Sequence, residues 1–217
     1  MEKFDLLQEY SVRLPSSSQT ALDTPSGYLT LYYEFFYSGN FRIPVTKFFV
    51  SLLGAYGVHI SQMNALGVMR MRHFEFVCRA HNIEPHASMF NVFYRMTCQA
   101  GFYSFAHRST KVNPVASVPP RSLHHWKSKF FFIRTGVIPV RMVWRTPKSA
   151  QPDIPAIRYE GTRWYLTLTA EPSRLERFRE SSLVAAGMSR IWDKADRVSI
   201  YKVDDRGTCA NFVNILL

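Results

Sequence analysis

At Gly101 the hydrophobic period of this chain changes, and no single regular element can satisfy both halves. Before it, apolar residues recur at helical spacing; after it, short stretches alternate every second residue. In the first half, LTLYYEFFYSG predicts a short helix with Leu31 and Phe35 on one face and Gly39 at its end. PVTKFFVSLLGAYG predicts a second helix, with Pro44 in its first turn, Phe48, Phe49, Leu52, Leu53 and Tyr56 inward, and Gly57 as the stop. HISQMNALGVMRMRHFEFVCRAHNIEP carries the strongest pattern, with Ser61 as N-cap, Met63, Leu66, Phe74, Val77 and Cys78 on one stripe, and Asn82 and Pro85 at the end. Pro85 then opens a fourth helix that turns Met89, Phe90, Phe93 and Tyr94 inward. Leu66, Phe74, Val77, Phe90 and Phe93 are expected to be buried together.

In the second half, GFYSFAHR, KFFFIRT and VRMVWR show the partial two-residue alternation of strands, and RWYLTLTA reads as a strand or buried extended segment. Proline-rich loops separate them, and SRLERFRESSLVAAG reads as one further amphipathic helix. The expected fold class is therefore α+β: an N-terminal unit of about four helices followed by a short-stranded, Pro-rich basic half.

Charge is distributed as unevenly as period. Between Glu84 and Asp153 there is no acidic residue, while ten Lys and Arg lie in the same interval. Residues 1–119 hold 10 Lys and Arg against 7 Asp and Glu, and residues 120–217 hold 17 against 9. A basic half of this kind calls for an anionic partner: nucleic acid, a membrane surface or an acidic protein. Phe102, Tyr103, Phe105, Trp126, Phe130, Phe131, Phe132 and Trp144 are interleaved with the cations. Cations neutralise phosphates and flat rings accept unstacked bases, so the mixture favours nucleic acid. The competing reading makes the rings core and the cations a solvated coat.

Other chemistries find less support. Three cysteines, Cys78, Cys98 and Cys209, are an odd and sparse set that fits a reducing compartment. The N-terminus lacks a signal-peptide pattern and no run of about 18 apolar residues occurs; the expected location is intracellular, in nucleus or cytoplasm, without membrane contact. A metal-dependent nuclease needs about three converging carboxylates. The best buried candidates are Glu34, Glu75 and Glu84, all in the helical half, while Asp153, Asp193, Asp196, Asp204 and Asp205 fall in loop or tail texture. His73, Cys78, His81, His86, Cys98 and His107 cluster in sequence, but only Cys78 and His81 show ligand spacing and the second pair of a zinc site is missing. Nothing fixes a Cys–His nucleophilic pair, and no phosphate-cradling glycine loop is present. The sequence calls for no cofactor, no metal and no catalytic residue.

Five segments form an ordered series: LYYEFFYSGNFRIPVTKFF, ISQMNALGVMRMRHFEFVCRAHNIEP, FNVFY, GFYSFAHR and LHHWKSKFFFI. The series resembles the gypsy-type transposase domain of plant genomes, found in reading frames linked to gypsy-type long-terminal-repeat retrotransposons. VAAGMSRIWDKADRVSIYKVDD resembles the segment that follows that domain. The resemblance implies a lead-in over 1–27, a domain over 28–205 (helical 28–100, mixed 101–205) and a tail over 206–217. It transfers no catalytic residues. Relatives of this kind often continue into a charged or coiled-coil tail, so a chain ending at NFVNILL reads as a shortened copy.

Two functions of different classes stand. One is a non-catalytic, retrotransposon-derived binding or assembly module that contacts nucleic acid and associates with itself; a plain protein-interaction domain is its variant. The other is an enzyme of DNA transposition. For the first, the candidate binding residues are Arg121, Trp126, Lys127, Lys129, Arg134, Arg141 and Arg145. Trp126 keeps two readings, a stacking platform for a base or a core ring.

Overall fold

The structure is a computed structural model, and it describes residues 10–37, 39, 41–109, 114, 123, 125–138, 142–146, 154, 159 and 161–170. Strand β1 (Tyr28–Tyr32) leads directly into helix α1 (Tyr33–Tyr37). Helices α2 (Lys47–Tyr56), α3 (Ala65–Ala80) and α4 (Ala87–Phe93) follow, then the hairpin of β2 (Tyr94–Gln99) and β3 (Phe102–His107). Strand β4 (Phe130–Arg134) and helix α5 (Arg163–Ala170) complete the described elements. The chain is α+β, with two small antiparallel sheets, β1 with β4 and β2 with β3.

The helix ends follow local chemistry. The Thr46 hydroxyl accepts the Phe49 N–H at 3.3 Å, which makes Thr46 the N-cap of α2 and leaves Pro44 outside the helix. Gly57 at φ 59° ends α2 in the left-handed conformation that glycine adopts without strain. Asn64, not Ser61, caps α3: its side chain accepts the Leu66 N–H at 2.8 Å. Ser61 sits in a 3-10 turn, Ile60–Gln62, and its hydroxyl donates to the β1 carbonyl of Thr30 at 2.7 Å. Asn82, at φ 56°, closes α3 as expected. Within α3, an added Cβ at Gly67 would lie 3.1 Å from the Ser104 Cα and 2.8 Å from the Met63 Cε. The missing side chain is what lets α3 lie on β3.

Two sequence assignments change. The start of LTLYYEFFYSG is strand rather than helix, because Leu29–Tyr32 pair with β4 together with the preceding Tyr28, from Tyr28 opposite Arg134 to Tyr32 opposite Phe130, and only Tyr33–Tyr37 is helical. That partner lies about a hundred residues away, beyond the reach of local periodicity. RWYLTLTA is helix rather than strand. Its two-residue alternation is carried by threonines whose hydroxyls donate back to carbonyls four residues earlier, Thr167 to Arg163 at 2.9 Å and Thr169 to Tyr165 at 2.7 Å. Helix α4 also stops at Phe93, one residue short of the predicted inner-face Tyr94. VRMVWR forms no strand over its described residues 142–145, and the predicted helix SRLERFRESSLVAAG lies outside the described residues.

The lead-in takes part in the sheet. Arg13 and Phe132 exchange both backbone hydrogen bonds, at 2.8 and 2.9 Å, on the β4 edge away from β1. One aromatic core joins all these elements. Phe74 touches Phe48, Phe90, Phe93 and Tyr94, and Phe90 stacks on Tyr94 at 4.4 Å. Phe74, Val77, Phe90 and Phe93 are buried as expected, whereas Leu66 is half-buried. Among the described residues no helix is long and apolar enough to cross a membrane.

Candidate nucleic-acid interface

The candidate residues separate into three groups. Arg121 and Arg141 lie outside the described residues. Trp126 and Arg145 are buried, at 7% and 8% exposure. Lys127, Lys129 and Arg134 are exposed.

Trp126 opens a 3-10 turn, Trp126–Ser128, that feeds into β4. Its indole meets Tyr32 at 4.7 Å and Phe102 at 4.9 Å, both edge-on, and stacks on Phe35 at 6.4 Å. The ring fills the space between β1, α1 and β3, so of its two readings the core one describes its position, and its role as a stacking platform is corrected. Arg145 is a structural residue by the same standard. Its backbone N–H donates to the Gln62 Oε1 at 2.8 Å, its carbonyl accepts from the Gln62 Nε2 at 2.7 Å, and its guanidinium donates to the Tyr56 carbonyl at 3.0 Å. The guanidinium completes the C-terminal end of α2, where carbonyls lack intrahelical partners.

The three exposed cations belong to one continuous unit, residues 127–134. The Lys127 ammonium lies 4.3 Å from the Phe102 ring centre, and that of Lys129 lies 5.6 Å from the Tyr33 ring centre. Arg134 faces Tyr28 across the strand pair, and the Arg13 guanidinium sits 4.4 Å over that same tyrosine ring. Residues directly opposite in an antiparallel pair share a face, so Tyr28, Arg134, Thr30 and Phe132 lie together, with Arg13 beside them. The loop that covers Thr30 carries Asp23, whose carboxylate accepts from the Thr20 N–H at 2.6 Å and hydroxyl at 2.8 Å; these bonds lower its pKa. The ring contacts of Lys127 and Lys129 are worth only about 0.5–1 kcal/mol each at exposed sites.

Trp144 is among the rings interleaved with the cations but not among the candidate binding residues. Strand alternation would turn it inward and Arg145 outward, and the structure does the reverse. Arg145 is drawn in by Gln62 and Tyr56, which leaves Trp144 54% exposed, its ring 5.5 Å from that of His59. The signal that could have found it is Gln62, a buried amide that reproduces a strand's hydrogen bonds for one residue of the passing segment.

The acids behave as structural groups. Of the described acids Asp23, Glu34, Glu75 and Glu84, Glu75 alone is fully buried. It accepts from Arg72, from the Thr46 hydroxyl at 3.1 Å and from the Arg79 Nε at 3.3 Å. Arg79 also reaches Glu84 at 3.8 Å. Among the described residues no group of three or more His, Cys, Asp or Glu could hold a metal. Cys78 is buried, and burial pushes its thiol far above the ordinary range, with nearby Glu75 adding to the effect.

Elsewhere on α3, His73 is held neutral. Burial, then the charges of Arg72 and Arg70, lower its pKa from 6.5 to about 4. The unfolded chain therefore binds this proton more readily than the folded one. Stability should fall as pH drops from about 6.5 towards 4, by an amount of order 1–3 kcal/mol. Urea melts at pH 7 and pH 4.5 check this: His73→Gln should lose that part of the pH dependence, and an unchanged difference would show that His73 keeps an ordinary pKa.

With the geometry in hand, comparison with known proteins is informative in one segment. Residues 31–98 match the Transposase_28 family model, which describes a gypsy-type transposon. No curated protein and no solved structure matches the chain. The matched segment runs from within β1 into β2 and contains the Glu75 cluster; Lys127, Lys129, Arg134 and Trp144 lie beyond it.

Proposed function

We propose, from the gypsy-type transposon match over residues 31–98, that the chain is a non-catalytic binding and assembly module that contacts single-stranded nucleic acid. Lys127, Lys129 and Arg134 take phosphates along β4, and Trp144, in place of Trp126, offers a ring to an unstacked base. The observation that carries this reading is that the three candidate cations are exposed on one unit, 127–134. Lys129 precedes β4 and Arg134 ends it, about 17 Å apart along extended chain; their odd spacing turns them to opposite sides of the strand, so each meets its own phosphate rather than one shared row. The enzyme reading would need a carboxylate set, and Glu75 is committed to two arginines.

Fluorescence anisotropy with a labelled oligonucleotide at two salt concentrations tests the proposal. Binding should be weak, sequence-tolerant and steeply salt-dependent. Replacing Lys127, Lys129 and Arg134 together by alanine should flatten the log–log salt slope by about 2 units, at about 0.7 per phosphate contact on a single strand. Unchanged binding by the folded triple variant would remove these three cations from consideration. Metal-dependent nicking of the same oligonucleotide would instead favour the transposition enzyme.

A further inference from the structure

We propose that the groove between the α3–α4 connection and α5 binds a phosphorylated nucleoside. The groove has a volume of about 830 Å³, within the 300–1,000 Å³ typical of small-ligand sites and far larger than a lone ion requires. Its apolar wall is Met89 and Trp164, and its polar rim includes His81, His86 and Arg163. Helix α5 is docked firmly: Tyr165 stacks on Phe93 at 6.0 Å, and Leu168 is 1% exposed. Trp164 packs edge-on against Phe93 at 6.3 Å, so its indole is oriented before any ligand arrives.

The charge balance of the rim selects the ligand. Arg163 is exposed and makes no ion pair with a described residue. The one acid in the lining, Glu84, already lies 3.8 Å from Arg79. The planar guanidinium of Arg163 and the exposed imidazole of His86 suit a phosphate, and the indole wall suits a flat ring. A phosphorylated nucleoside has both parts, either as a free nucleotide or as the 5′-phosphorylated end of a strand. None of these residues belongs to the 127–134 unit, so this site stands or falls independently of the proposal above.

Isothermal titration of the full chain with AMP, adenosine and inorganic phosphate tests the assignment. AMP should bind saturably and more tightly than either fragment. Arg163→Gln, checked for folding by circular dichroism, should weaken AMP about tenfold or more, as expected for a lost charged hydrogen bond. The Lys127, Lys129 and Arg134 triple variant should bind AMP like the parent. A 5′-phosphorylated trinucleotide that binds more tightly than AMP assigns the strand end, and AMP binding at least as tightly assigns the free nucleotide; either result supports the site. Absence of saturable AMP binding, equal binding by folded Arg163→Gln, or phosphate binding as tightly as AMP would overturn it.

Discussion

Trp126→Ala should cost about 3–5 kcal/mol of stability, the range for removing a large ring from a core that cannot close over the gap. The indole touches Tyr32, Phe35 and Phe102, which come from three different elements, so no single side-chain movement fills the space. At about 2–4 °C per kcal/mol for a chain of this size, the melting midpoint should drop by roughly 6–20 °C. The informative control is Trp144→Ala. That ring is 54% exposed, so its loss should shift stability by no more than about 0.5 kcal/mol, yet weaken oligonucleotide binding by about 1–3 kcal/mol if it stacks on a base. Thermal melts followed by circular dichroism, with anisotropy on the same samples, separate the two tryptophans. A Trp126→Ala protein that melts like the parent would show that the ring is not part of the core.

The tryptophans also mark how far the sequence could be read. Local signals located α2 and α3 well, because Phe48, Phe49, Leu52, Phe74 and Val77 keep helical spacing and Gly57 and Asn82 stop their helices by positive φ. They failed where a distant partner decides the outcome. YLTLY, Tyr28–Tyr32, carries the aromatic and β-branched residues of a strand, but its conformation depends on β4, which no local window contains. The candidate interface was half legible for the same reason. Exposure of Lys127, Lys129 and Arg134 follows from charge alone. The inward turn of Arg145 and the outward turn of Trp144 depend on Gln62 and the Tyr56 carbonyl, two groups that the chain brings together only when folded.

Glu75→Ala should be the other severe change, at about 3–5 kcal/mol, the cost of breaking a buried ion pair from one side. Glu75 is 0% exposed and Arg72 is 3% exposed. The Nε and NH2 of Arg72 have no hydrogen-bond partner among the described residues, so its charge depends on the one carboxylate. The same carboxylate accepts from the Thr46 hydroxyl, which itself caps α2, so Glu75 joins the start of α2 to the middle of α3. Glu75→Gln keeps the shape but leaves Arg72 without a counter-charge, and should recover only part of the loss. Replacing both partners, Arg72→Met with Glu75→Leu, should be much milder than the single changes predict when added, because no charge then remains buried. Urea unfolding of the two singles and the double closes the cycle. A single Glu75→Ala cost below about 1 kcal/mol would mean that Arg72 reaches water in the variant, and that the pair contributes no more than a surface contact. Additive costs would show that the two groups act separately.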